Sequence, residues 1–138
     1  MMSQGARSGA SHFFLNALRI GAGLLFMQHG AQKLFGVLGA QGTAPFLSQS
    51  WLAGMLELWG GLLIALGLFT RPVAFVLAGE MAWAYVQAHL PQSIFPLVNR
   101  GEPAALFCLI YLFLAANGGG AFSLDGLLAL RRRGKTAD

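Results

Sequence analysis

The sequence predicts an all-α fold, an integral membrane bundle of four transmembrane helices. Three observations predict it. First, hydrophobic residues make up 56% of the 138 residues and charged residues only 10%, against roughly 25% charged in soluble domains. Mean hydropathy is +0.61. Second, four apolar runs of near-membrane length alternate with stretches rich in Gly, Pro, Gln and Ser. Third, the basic residues gather at positions that a four-span chain would bring to one membrane face. The length fits one domain.

Span one runs from about Phe13 to Phe35, enough to cross a core about 30 Å thick at about 1.5 Å per residue. No small-x-small cleavage site follows its apolar run, so it reads as a retained span rather than a signal peptide. Arg19 lies near its entry and is expected to snorkel to the surface. Gly21 and Gly23 offer a smooth patch to a neighbouring helix. Gly36 to Ser50 is a loop, in which Phe46 and Leu47 are expected to dip into the interface. Span two, from about Trp51 to Phe69, carries Glu57 beside Gly60-Gly61. Thr70-Arg71-Pro72 reads as a tight turn at the membrane edge. Span three, from about Pro72 to Leu90, has Glu80 near its middle, with Ala84 and Gln87 on the same face. Pro91 to Pro103 is a second loop. Span four runs from about Glu102 or Ala104 to Ala116 and ends at Gly118-Gly119-Gly120. Ser123 then caps a short terminal helix, whose positive end Asp125 complements.

These spans divide the chain into a disordered cytoplasmic tail (1–12), a four-helix membrane domain (13–130) and a basic cytoplasmic tail (131–138). Four spans put both termini on one side, together with Arg7, Arg71, Arg131, Arg132, Arg133 and Lys135, while Lys33 and Arg100 fall on the other. That bias places both termini in the cytoplasm and the two longer loops outside. Net charge is +4 and pI about 10.0. With no basic helix or aromatic–basic module outside the spans, this charge points to the lipid bilayer and not to nucleic acid. The single cysteine, Cys108, excludes an internal disulfide and reads as a small buried hydrophobe.

The polar residues inside the spans carry the functional question, because each costs roughly 2.5–3.5 kcal/mol near a membrane centre. His29 and Lys33 are four apart and share a face. Glu57 is the expected partner of Lys33, and the three are expected to line one polar pocket opening outward. The alternative is a partly buried ion pair that fixes helix register. Glu80, the deepest carboxylate, is expected to be protonated or paired, either bonded to backbone or Gln87, or serving as a proton relay. His89 sits at the outer end of span three, as a ligand contact or an interfacial histidine. Three histidines give no metal site, and neither haem nor zinc is expected.

In order, the segments R-I-G-A-G-L-L-F-M-Q-H-G-A-Q-K-L-F-G (from Arg19), E-L-W-G-G-L-L-I-A-L-G-L-F-T-R-P-V-A (from Glu57), E-M-A-W-A-Y-V-Q-A-H (from Glu80), F-P-L-V-N-R-G-E-P-A (from Phe95) and S-L-D (from Ser123) resemble the DoxX family of bacterial and archaeal membrane proteins. The resemblance runs from about Leu18 to Asp125. It implies a four-helix bundle in a bacterial inner membrane. It also implies a likeness to the small subunits of an archaeal thiosulfate:quinone oxidoreductase. The family's recurrent polar positions fall on His29, Lys33, Glu57, Arg71, His89, Asn99, Glu102 and Asp125, with Met81, Ala84 and His89 matching its span-three pattern. The reading that follows is a subunit of an oxidoreductase assembly that binds a membrane quinone. His29, Lys33, Glu57, Glu80 and His89 are its pocket candidates, and Arg71, Asn99, Glu102 and Asp125 its structural or interface candidates. A soluble or membrane oxidoreductase would be its partner, with a homo-oligomer as a further possibility. The competing readings are a non-catalytic scaffold or assembly factor, and a small transporter that works as an oligomer.

Overall fold

The computed structural model describes residues 4–135, with side chains from 9 to 132. Among them the chain is all-helical, without strands. Helix α1 covers Gln4–Phe35. A second rod, Gln49–Leu66, joins α2 (Gln49–Met55), a π-helical turn (Leu56–Gly60) and α3 (Gly61–Leu66). A third rod joins α4 (Thr70–Ala84) to a π-helical turn (Tyr85–His89). Then follow α5 (Pro96–Asn99), α6 (Glu102–Asn117) and α7 (Leu124–Lys135). Two helices, Gly9–Phe35 and Gln49–Leu66, are long and apolar enough to cross a membrane, and Glu102–Asn117 is a shorter apolar helix.

The rods pack as two pairs, α1 on the second rod and α4 on α6. Glycines at matching seven-residue spacing draw the first pair together. A Cβ on Gly23 would lie 2.6 Å from the Gly61 carbonyl oxygen, and one on Gly54 would lie 3.1 Å from Leu34 and Lys33 side-chain carbons. Gly30 is likewise pressed on the Leu58 backbone. Of the two glycines expected to form the smooth patch, only Gly23 is in this seam; Gly21 has open space around it. Where the pairs meet, Ala22, Phe26, Ile64, Leu77, Ala78, Tyr111 and Leu114 form the core. Outside it, Phe14, Leu25, Trp59, Phe75, Trp83 and Leu109 are all more than half exposed. An apolar belt of this extent suits hydrocarbon and not water.

Three boundaries differ from expectation. Residues 4–12, expected to be disordered, continue α1, because nothing in Gln4–Ser11 breaks a helix already nucleated downstream. Met1–Ser3 of that tail, and 136–138 of the basic tail, lie outside the described residues. The second rod stops at Gly67, not Phe69. Gly67 (φ 70°) closes it with bonds from its own N–H to Ile64 O and from Leu68 N–H to Leu63 O. The turn thus falls at Gly67–Phe69, and Thr70-Arg71-Pro72 is the first turn of α4.

Arg19 departs furthest from expectation. It does not snorkel; it is 1% exposed. Its Nε donates to Gly119 O (2.8 Å), and its two terminal nitrogens donate to Ile64 O (2.8 Å), Ala65 O, Asn16 Oδ1 (3.2 Å) and Phe122 O (2.8 Å). All five guanidinium donors are therefore satisfied. Carbonyls at the C-terminus of α3 suit a cation there. Arg19 stays inside because those carbonyls solvate it better than a long reach to water would.

Candidate functional site

A cleft of about 750 Å³ opens where the second rod meets the third. Its walls are apolar: Leu52, Ala53, Leu56, Val76, Met81 and Trp83. Its polar groups come from three rods. Lys33 lies in the last turn of α1, Glu57 in the first π-helical turn, and Glu80 in α4. Lys33 Nζ donates to Glu57 Oε1 at 2.5 Å, with the Glu57 side chain 3% exposed. The other Glu57 oxygen, Oε2, is buried without a partner. So are both oxygens of Glu80. Such orphans are few in folded proteins, and each is costly.

Glu80, Ala84 and Gln87 line the cleft together, as their spacing predicts. Gln87 does not bond Glu80, however. It exchanges amide hydrogen bonds with Gln49 at the start of the second rod, across one end of the cleft. Both π-helical turns border this cleft, one supplying Glu57 and the other Gln87. Single π turns recur at functional sites because the extra residue re-aims a side chain. Sequence periodicity of 3.6 does not reveal them.

His29 is not part of this cleft. It is exposed, stands edge-on to Phe107 (5.9 Å between centroids) and lines a separate cleft of about 300 Å³ with Gln28, Gln32 and Leu38. The single pocket expected for His29, Lys33 and Glu57 is thus divided. Four residues span a little more than one turn, and α1 turns Lys33 to the second rod and His29 toward α6. His89 is also outside. Its Nδ1 lies 3.0 Å from Asn99 O; because a carbonyl only accepts, Nδ1 carries the proton. Asn99 is 1% exposed and organises the 90–101 loop. It donates to Ser93 O (2.6 Å) and to the Tyr85 hydroxyl (3.2 Å), and accepts from Gly101 N–H (2.7 Å). Glu102 is exposed at the first turn of α6.

At the opposite end of the bundle, Asp125 accepts from the N–H groups of Phe69 and Thr70, both at 2.8 Å. It caps α4 rather than its own helix. Ser123 Oγ caps that one, accepting from Gly126 N–H at 3.0 Å. Arg71 is exposed beside Gly118 and shares a cleft of about 400 Å³ with Thr70 and the glycine run.

The DoxX family model matches residues 14–90. The chain belongs to the DoxX family. A relative from Haemophilus influenzae, named "Uncharacterized protein", is 39% identical over 123 residues, covering 82% of this chain and 89% of its own. A Bacillus subtilis protein named "Putative oxidoreductase CatD" is 29% identical over 114 residues, covering 78% of this chain and 81% of its own. No solved structure matches significantly. The stretch matched by the DoxX model contains Lys33, Glu57, Glu80 and Gln87, the polar residues on which the large cleft is built. Asn99, Glu102 and Asp125 lie beyond it.

Proposed function

We propose that this DoxX protein is an inner-membrane subunit of an oxidoreductase assembly, binding a membrane quinone in the cleft between the second and third rods. In this reading the four rods span the bilayer and both termini are cytoplasmic, with Arg71, Arg131 and Arg132 at the inner face. One observation carries the proposal: an apolar cleft is lined by Glu57 and Glu80, which between them have three buried carboxylate oxygens without a partner. Its rim residues Leu52, Leu56, Val76 and Trp83 are exposed on the apolar belt. A ligand with a polar ring and a hydrocarbon tail suits that pairing of lining and rim. The ring would meet Lys33, Glu57 and Glu80, and the tail would leave between the rods into lipid.

A bound quinone supplies two-electron, two-proton chemistry, taking its electrons from a partner oxidoreductase. The chain's own residues do three things. Lys33 holds Glu57 in place through its bond to Oε1. Glu80, whose oxygens no other group engages, is free to hold or give up a proton at its carboxyl. Leu52, Leu56 and Trp83 exclude water from the ring. The oxidoreductase relative supports this reading.

The test is purification in mild detergent, followed by native mass spectrometry and lipid extraction. A stoichiometric quinone, lost on Glu80→Gln, is the expected result. A stable protein partner with no quinone would instead favour the scaffold reading.

A further inference from the structure

We infer that α7 is an anchor for anionic lipid. Its leucines seat at the edge of the hydrocarbon layer, and the arginines that follow bind the phosphates of acidic phospholipid headgroups. The inference uses the reading that the rods span the bilayer and is independent of the quinone.

The bundle holds α7 only at its start. Asp125 N–H donates to Gly67 O at 2.9 Å, and the Asp125 carboxylate accepts from the start of α4. Beyond that tie the fold lets go: every residue from 127 to 132 is exposed. Six residues make roughly one and a half turns, so no face of the helix packs on the rest of the chain there. Leu127, Leu128 and Leu130 are 46%, 43% and 67% exposed. A 12-residue helix is marginal alone in water, and wet leucines forgo the gain of burial. This helix is incomplete without something to cover it.

The order of residues along α7 selects the cover. Leucines come first, at 124, 127, 128 and 130; Arg131, Arg132, Arg133 and Lys135 follow. Residues 126–137 hold those four basic side chains and no acidic one. Apolar then basic is the order of layers met on leaving a bilayer, hydrocarbon and then phosphate. Leu124, Leu127, Leu128 and Arg131 recur at three- and four-residue spacing and share a face. Arg131 therefore extends the leucine stripe, with an apolar stem that can lie along lipid and a guanidinium that can reach a phosphate. The stripe also adjoins the apolar belt: Phe69 and Phe122, on either side of the Asp125 tie, are 62% and 75% exposed. A second copy of the chain would supply leucines for this face but no acid from its own α7. An acidic soluble protein would match the arginines but not leucines that continue the belt. An anionic membrane surface matches both.

The experiment uses the full chain carrying Cys108→Ala and Leu128→Cys, labelled at 128 with an environment-sensitive fluorophore. The labelled protein is placed in nanodiscs of phosphatidylcholine or of phosphatidylglycerol. Acrylamide, an uncharged quencher, reads the label's access to water. Phosphatidylglycerol should raise the ratio of protected to accessible label by at least about fivefold, the scale of one arginine at an anionic surface. Arg131→Gln, Arg132→Gln and Arg133→Gln together should remove the dependence on lipid charge, and high salt should weaken it in the parent chain. Equal protection in the two lipids would overturn the inference. A label accessible in both would overturn it and give the face to a soluble partner. Protection in detergent that grows with protein concentration would overturn it in favour of a second copy. Quinone content measured on the same discs decides the cleft separately.

Discussion

Two buried charged clusters sit at opposite ends of this bundle, and they differ in how completely their hydrogen bonds are made. At one end, Arg19 places five donors on five acceptors drawn from α1, α3 and the 119–122 turn. Asp125 beside it spends both oxygens on the start of α4. At the other end, Lys33 and Glu57 share one bond, and three carboxylate oxygens nearby have none. Desolvation penalises both clusters. Only the first recovers the cost within the chain, so it reads as structure. The second is complete only with something added, so it reads as a site.

The sharpest way to break that contrast is to empty the satisfied cluster. Arg19→Met keeps the bulk and removes every donor, taking a partner from acceptors on three segments. We expect a loss on the order of 3–5 kcal/mol, the scale of removing one member of a buried charged network. Thermal unfolding in detergent measures it, and a melting curve like that of wild type would mean that the node is not structural. Arg19→Lys should rescue little, since three donors on a point charge cannot span five acceptors.

A smaller effect is expected between the two clusters, along the seam that fixes their separation. Gly23→Ala puts a methyl group 2.6 Å from the Gly61 carbonyl oxygen, against backbone that cannot yield like a flexible side chain. The overpacking should cost about 1–3 kcal/mol. Gly21→Ala, two residues away in open space, should cost nothing and serves as the control. A pair of variants with equal melting temperatures would remove glycine contact as the device that registers Lys33 against Glu57.

The contrast between the clusters also explains what the sequence could reveal. The rods were legible because they carry long apolar runs, and the Lys33–Glu57 pair because a lone acid and a lone base in neighbouring runs have few other partners. Ala84 and Gln87 followed Glu80 into the cleft by spacing alone. Arg19 was not legible as a buried node. Four of its five acceptors are main-chain carbonyls, 45 to 103 residues away in sequence, and carbonyls have no letter in the sequence. His29 was grouped with Lys33 because i, i+4 residues share a face in general. Here the face is split between two neighbours, which only packing decides. The π-helical turns leave no periodic trace in five residues.

The smallest stability effect, and the most informative one, is expected at Glu80. A satisfied carboxylate resists replacement; an orphaned one does not. Glu80→Gln removes a carboxyl whose two oxygens bond nothing within the chain and replaces it with an amide of the same shape. The buried amide costs less to desolvate than a carboxylate. The variant should therefore melt within about 1 kcal/mol of wild type. Its ligand binding should nonetheless fall by about tenfold, the scale of one lost hydrogen bond from a carboxyl O–H to a quinone carbonyl. Arg19→Met should show the reverse, with stability collapsing because a structural partner has been removed. If Glu80→Gln instead unfolds the protein, Glu80 must have partners within the fold, and the line drawn between the two ends of the bundle disappears. Stability and binding measured on the same two variants thus separate a residue kept for the fold from one kept for a ligand.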